Sequence, residues 1–278
     1  MIFDFSDYGA LLQLVQASVY AGALLGIVGG LIGVFVMQRD MAFAVHGISE
    51  LSFAGAAGAL LLGVNVVVGS VAGSLVAAAI IGLLGAWARD RNSIIGVLMP
   101  FGLGLGILFL ALYPGRSGNK FGLLTGQIVS VDFPQLGLLV TLSILVLAVL
   151  LVIWRPLTFD SLDPDVAAAR GVPSRTLSLA FMVLLGLTVA VSVQVIGALL
   201  VLALLVTPAA AAMRVSASTV LVPVLSMVFG FVSAVGGILI AIGTSLPISP
   251  FITTISFLIY LVCRLVGGRR APRIRLSR

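Results

Sequence analysis

Charge is what this sequence has least of. Only 9% of its 278 residues are Asp, Glu, Lys or Arg, against roughly 25% in an ordinary soluble domain. Glu50 is the sole glutamate, Lys120 the sole lysine and His46 the sole histidine. Cys263 is the one cysteine, which excludes an internal disulfide and a cysteine-cluster metal site. A serine–histidine–acid set has no histidine to use except His46, so hydrolytic catalysis within the membrane is disfavoured. Alternating polar and apolar strands, the mark of a membrane barrel, are also missing. What is present instead is long apolar runs such as "LGLLVTLSILVLAVLLVIW", Leu136 to Trp154. Such runs satisfy their backbone inside a bilayer only as helices. The expected fold is therefore all-α, a polytopic transmembrane helical bundle.

A crossing takes roughly 20 apolar residues. Nine spans are expected, at 9–36, 41–63, 65–88, 92–112, 135–154, 174–190, 194–213, 217–243 and 247–266. The count drops to eight if the stretch around Ser192–Gln194 is not split. The acids Asp4 and Asp7 do not suit the positive start of a cleaved signal, so the first span is expected to be retained. With the N-terminus outside, 13 of the 15 basic residues fall in inner segments. These are Arg39, Arg89, Arg91, Arg155, Arg170, Arg175, Arg214, Arg264 and the basic tail "GGRRAPRIRLSR". Only Arg116 and Lys120 lie outside. That segregation obeys the positive-inside rule and places the C-terminus in the cytoplasm. The net charge of +6 is thereby explained by membrane orientation and lipid contact, without nucleic acid. Residues 1–278 read as a single transmembrane domain.

Glycine is abundant, and Gly26 with Gly30, Gly29 with Gly33, and Gly69 with Gly73 are small-xxx-small pairs that suit close helix packing in lipid. Pro208, inside a span, is expected to kink it.

Four polar features stand out. The first is "AVHGISELSFAG", Ala44 to Gly55. His46 and Glu50 are one helical turn apart on one face, with Glu50 near the middle of the second span. Ionisable groups at that depth usually mark a pathway or a site, and imidazole nitrogen with carboxylate oxygen can ligate zinc, manganese or iron. The alternative is a buried His–Glu hydrogen bond that only fixes packing. Ser49 and Ser52 either support the pair or bond back to their own backbone.

The second feature is "SLDPDVAAARGVP", Ser161 to Pro173. Asp163 suits an N-cap, Pro164 the first helical position, Asp165 the first turn, and Arg170 the last. Gly171 can close the helix in the left-handed region. A short, alanine-faced helix at about 163–171 suits docking to another protein, or serves as a plain connector. The third feature, "GRSGNKFG" at Gly115 to Gly122, fails the phosphate-loop pattern because Asn119 precedes Lys120 and Phe121 follows it. The chain is not expected to hold its own nucleotide site, and it is not expected to be an enzyme. The fourth is "VIGALLVLALLVTPAAAA", Val195 to Ala212.

These residues resemble the permease subunits of zinc-, manganese- and iron-uptake ABC transporters. The second-helix motif of that family, R-M-A-x-x-G-D-x-x-S-H-x-x-x-P-G, is in register through Met41, Ala42, Ser49 and Gly55. Its D-P-[DE]-x-A-x-x-x-G matches Asp163, Pro164, Asp165, Ala167 and Gly171. Its L-x-G-x-I-x-x-V resembles Leu123 to Val131, and its G-x-L-L-V-x-A-L-L-x-x-P-A-A-x-A resembles Val195 to Ala212. The similarity covers about 39 to 262. Departures fall at the centre of interest: the motif Asp aligns with His46, its His with Glu50, its glycine with Val45 and its proline with Ala54. Near the C-terminus the family's P-x-G-P reads Pro247, Ile248, Ser249 and Pro250.

The resemblance implies a permease subunit in the cytoplasmic membrane of a prokaryote that carries a divalent transition metal inward, with zinc the first expectation. His46 and Glu50 would be the metal residues. It further implies a second permease copy or homologue, and a cytoplasmic ATPase docked on Asp163, Pro164, Asp165, Ala167 and Gly171 that holds the ATP. An extracytoplasmic metal-binding protein would deliver the ion. A stand-alone, proton-coupled metal transporter, with Glu50 as its proton site, is the competing reading.

Overall fold

The computed structural model describes residues 8–85, 91–115, 131, 133–198, 200–244 and 248–268. Most of those residues are helical, with no strand among them. In chain order the helices are α1 (Tyr8–Leu14), α2 (Gln16–Gln38), α3 (Ala42–Leu62), α4 (Val66–Gly85), α5 (Arg91–Leu112), α6 (Phe133–Leu162), α7 (Pro164–Ala169), α8 (Ser174–Ile196), α9 (Val201–Val215), α10 (Leu221–Ile242) and α11 (Ile248–Gly268). Eight of them are long and apolar enough to cross a bilayer. The bundle packs α2 along α10, α3 between α4 and α5, α4 against α8, and α9 among α2, α10 and α11.

Close helix approach rests on glycine, as the small-residue spacing suggests. Gly26 lies against the backbone of Gly230, and Gly30 against that of Ser226, whose Oγ donates to the Gly30 carbonyl at 2.6 Å. Gly33 meets the Leu205 carbonyl, while Gly55 on α3 faces Gly69 and Gly73 on α4. A side chain at any of these positions would push two backbones apart.

Several expected boundaries move. The first span is interrupted at Val15, which separates α1 from α2. The fifth does not end with the apolar run at Trp154. It continues to Leu162, making a 30-residue helix of about 45 Å. Its last turns bury Leu157 and Asp160, so packing rather than lipid carries the helix on. It stops where Pro164 forces the preceding residue out of helical geometry, and Asp163 sits at φ −149°, ψ 88°.

The largest correction concerns the split expected at Ser192–Gln194. The helix runs through both residues to Ile196 and breaks at Gly197, with φ 82° and ψ 157°, a conformation only glycine takes without strain. The polar pair misled the placement: Gln194 stays helical, donating to the Val66 carbonyl at 3.4 Å. Beyond the break, α9 has 15 residues, about 22 Å of helix, shorter than the roughly 30 Å hydrocarbon core. Gly197, Ala198 and Leu200 are all buried in protein, the condition under which non-helical backbone is tolerated at membrane depth. Pro208 sits within α9.

The turn between α2 and α3 is tight. Met41 N–H donates to Val36 at 2.8 Å and Asp40 N–H to Met37 at 3.4 Å, a paired closure of the helix end. Asp40 holds the left-handed position, φ 53°, that glycine usually fills. Aspartate is among the few residues with a side chain that visit this region routinely.

Candidate functional site

Helix α3 carries the candidate pair and is closed by Gly63 in the left-handed region, φ 69°. One helical turn brings His46 Nε2 to 3.6 Å from Glu50 Oε1. That distance permits charge attraction but exceeds a hydrogen bond. His46 Nδ1 and Glu50 Oε2 are both buried and have no hydrogen-bond partner. Burying such atoms unpaired is costly. The Glu50 side chain is 3% exposed and that of His46 27%. The acid is therefore enclosed by its own chain, and the imidazole is the face through which the pair can be reached.

The surroundings are apolar and tight. Gly47, between the two, faces Ile81, Ile95 and Met99, and Gly102 on α5 lies against the backbone at Glu50 and Leu51. The neighbouring serines do not support the pair. Ser49 Oγ donates back to the His46 carbonyl at 2.8 Å. Ser52 Oγ pairs with Ser70 Oγ at 2.7 Å, and Ser70 Oγ donates on to the Ala190 carbonyl at 3.3 Å, tying α3 to α4 and α8. Among the described residues no group of three or more His, Cys, Asp or Glu converges. The pair offers one nitrogen and one oxygen donor within reach of each other.

The helix expected at 163–171 is α7, Pro164–Ala169, six residues long. Asp163 caps it by accepting from Val166 N–H at 3.1 Å, and Pro164 opens it. Asp165 stands in its first turn, and Gly171 has φ 79° just beyond it. Two details differ from expectation. Arg170 is the C-cap instead of a residue of the last turn. Ala167 is completely buried, so its methyl group is not part of the exposed face of α7. Pro164, Asp165, Val166, Ala168 and Ala169 form the face that is open.

An ion pair that the sequence reading did not find lies beside α7. Arg39 Nη1 donates to Asp160 Oδ2 at 2.8 Å and to Ser161 Oγ at 3.2 Å. The two residues are 121 positions apart, and no short-range spacing could have paired them. They border a cavity of about 640 Å³ also lined by Gln38, Asp40, Pro164 and Arg175. The segments Gly115 to Gly122 and Leu123 to Val131 and the basic tail fall largely outside the described residues, as do Pro247 and Arg89.

Comparison with known proteins agrees with this architecture. The description of the ABC 3 transport family matches residues 11–267. The manganese transport system membrane protein MntC of Halalkalibacterium halodurans is 30% identical over 225 residues, 81% of this chain and 77% of that protein. The manganese import system permease protein ScaB of Streptococcus parasanguinis is 27% identical over 271 residues, 97% of this chain and 96% of that one. Among solved structures, PsaBC from Streptococcus pneumoniae in complex with Fab superposes with a TM-score of 0.84 at 25% identity, covering 98% of each chain. A multi-pass helical membrane protein of the prokaryotic inner membrane is the class these findings describe. The chain belongs to the ABC 3 transport family.

Proposed function

We propose that this chain is the permease subunit of an ATP-driven importer of a divalent transition metal, and that His46 and Glu50 ligate the ion in transit. The observation that carries the reading is the pair itself. A buried carboxylate and an imidazole stand 3.6 Å apart, each with one further buried polar atom lacking a partner. One nitrogen and one oxygen donor suit a hard or borderline divalent ion, and the family context makes that ion cargo. Manganese is the better-supported cargo, because the curated relatives are named for it; zinc, the first expectation from the sequence, is second.

The N-terminus lies outside, so that α7 and Arg39 face the cytoplasm. A separate ATPase docks on the open face of α7 at Pro164 and Asp165, and hydrolyses the ATP. A second permease copy or a homologue completes the translocation unit, and an extracytoplasmic binding protein supplies the ion. With only two donors converging among the described residues, the partner copy or the delivered ion's own water completes the coordination. Glu50 is enclosed here, so ion entry needs α3 to move relative to α4 or α5, a two-state change of the kind that ATPase closure drives.

The test is uptake of Mn²⁺ and of Zn²⁺ into proteoliposomes holding the full complex, with and without ATP. His46→Ala and Glu50→Ala are expected to lower uptake about tenfold or more, with folding and ATP hydrolysis retained. Unchanged uptake in both variants removes the pair from the pathway. Uptake that runs without ATP, driven by a proton gradient, supports the stand-alone transporter instead.

A further inference from the structure

We propose that the Arg39–Asp160 ion pair is the strut that carries motion from the ATPase-docking helix to the metal-bearing helix, making both positioning residues for transport. The proposal rests on the reading of α7 as the docking helix and of His46 with Glu50 as the cargo site.

Both ends of the strut are placed for this. Asp160 stands three residues before the Asp163 cap of α7, on the last turn of α6. Ala167 is fully buried, and α7 packs against α6, so a push on α7 is delivered to the end of α6. Arg39 is the C-cap of α2, and α3 begins three residues later. The intervening turn is stiff, held by the Met41–Val36 and Asp40–Met37 bonds. His46 follows within two turns of α3. A displacement of Arg39 therefore reaches the imidazole through little more than one closed turn and one helical segment.

The link itself is short and mostly enclosed. Arg39 Nη1 meets Asp160 Oδ2 at 2.8 Å with side-chain exposures of 13% and 3%. Its guanidinium also lies 5.9 Å from the ring centre of Phe181 on α8. Phe35 on α2 meets Trp154 edge-on at 4.9 Å and Phe181 at 6.0 Å, which brackets α2, α6 and α8 around the pair. Asp160 Oδ1 is buried without a partner. Losing Arg39 would leave the whole carboxylate unpaired inside protein, so the pair resists slipping. The pair joins segments 121 residues apart in a chain with only 9% charged residues.

The experiment uses the permease assembled with its ATPase in proteoliposomes, with Mn²⁺ influx and phosphate release recorded together. The quantity read is metal moved per ATP hydrolysed. Arg39→Gln and Asp160→Asn are expected to lower that ratio about fivefold, with hydrolysis retained. Arg39→Lys, which keeps the charge, should hold most of it. Leu157→Ala, one turn before Ser161 on α6, is the stability control: it should lower the melting temperature and leave the ratio unchanged.

A ratio maintained in both charge variants overturns the strut alone, provided the wild type needs ATP. An equal fall in Leu157→Ala assigns the effect to general loosening and also overturns it. Failure of both Arg39→Gln and Asp160→Asn to assemble assigns the pair to folding, with the same consequence. Wild-type influx that ignores ATP defeats the proposed function first, and the strut with it.

Discussion

In a chain with one histidine and one glutamate, their meeting at i and i+4 on a buried helix invites a direct test. Glu50→Gln keeps the volume and the polarity of the side chain and removes the charge. If the pair only packed, the amide would serve as well. Ligation instead requires the carboxylate, so manganese uptake is expected to fall about tenfold or more while thermal melting in detergent barely moves. Equal uptake by Glu50→Gln and wild type would contradict ligation. Asp40 makes a different prediction. Its φ of 53° is tolerable for aspartate and poor for a β-branched residue. Asp40→Val should therefore be about 1–2 kcal/mol less stable than Asp40→Gly; the two melting curves compare them directly.

At the scale of elements, glycine placement governs which helices can touch. Gly33 lies against the Leu205 carbonyl, and any Cβ there collides with backbone. Gly33→Ala is expected to cost about 1–3 kcal/mol by separating α2 from α9. Gly137 on α6 has open space around it, so Gly137→Ala should be neutral or stabilise slightly, since alanine favours a helix interior over glycine. Denaturant titration of both variants reads the contrast; equal effects would mean that close approach is not what Gly33 provides. Helix α7 offers a second contrast. Ala167 is buried and Ala168 exposed. Ala167→Leu should dislodge the helix and lose the co-purifying ATPase, whereas Ala168→Leu should weaken it only if that face is the docking surface.

At the scale of the whole molecule, orientation is open to labelling. In a Cys263→Ser background, cysteine at the exposed Val64 should react with a membrane-impermeant maleimide from outside intact cells. Cysteine at the exposed Ala217 should react only after lysis. The reverse pattern would invert the topology and put α7 on the wrong side for an ATPase. The charge asymmetry that predicts the orientation is strong, with 13 basic residues assigned to one side and two to the other.

The sequence by itself determined the fold class, the approximate spans and the short helix at 163–171. Each of these is set by local facts: lengths of apolar run, a capping aspartate before proline, a glycine able to turn left-handed. It also brought His46 and Glu50 onto one face, because helical periodicity is a short-range rule. The tertiary structure decided what depends on distant segments. The break at Gly197 instead of Ser192–Gln194 depends on Val66 satisfying Gln194. The overrun of α6 depends on Leu157 and Asp160 being buried. The inward turn of Ala167, and the pairing of Arg39 with Asp160, join chain segments that carry no shared period. A helix can be read from spacing because its hydrogen bonds are local. A strut between two helix ends cannot, because only folding sets the distance that joins them.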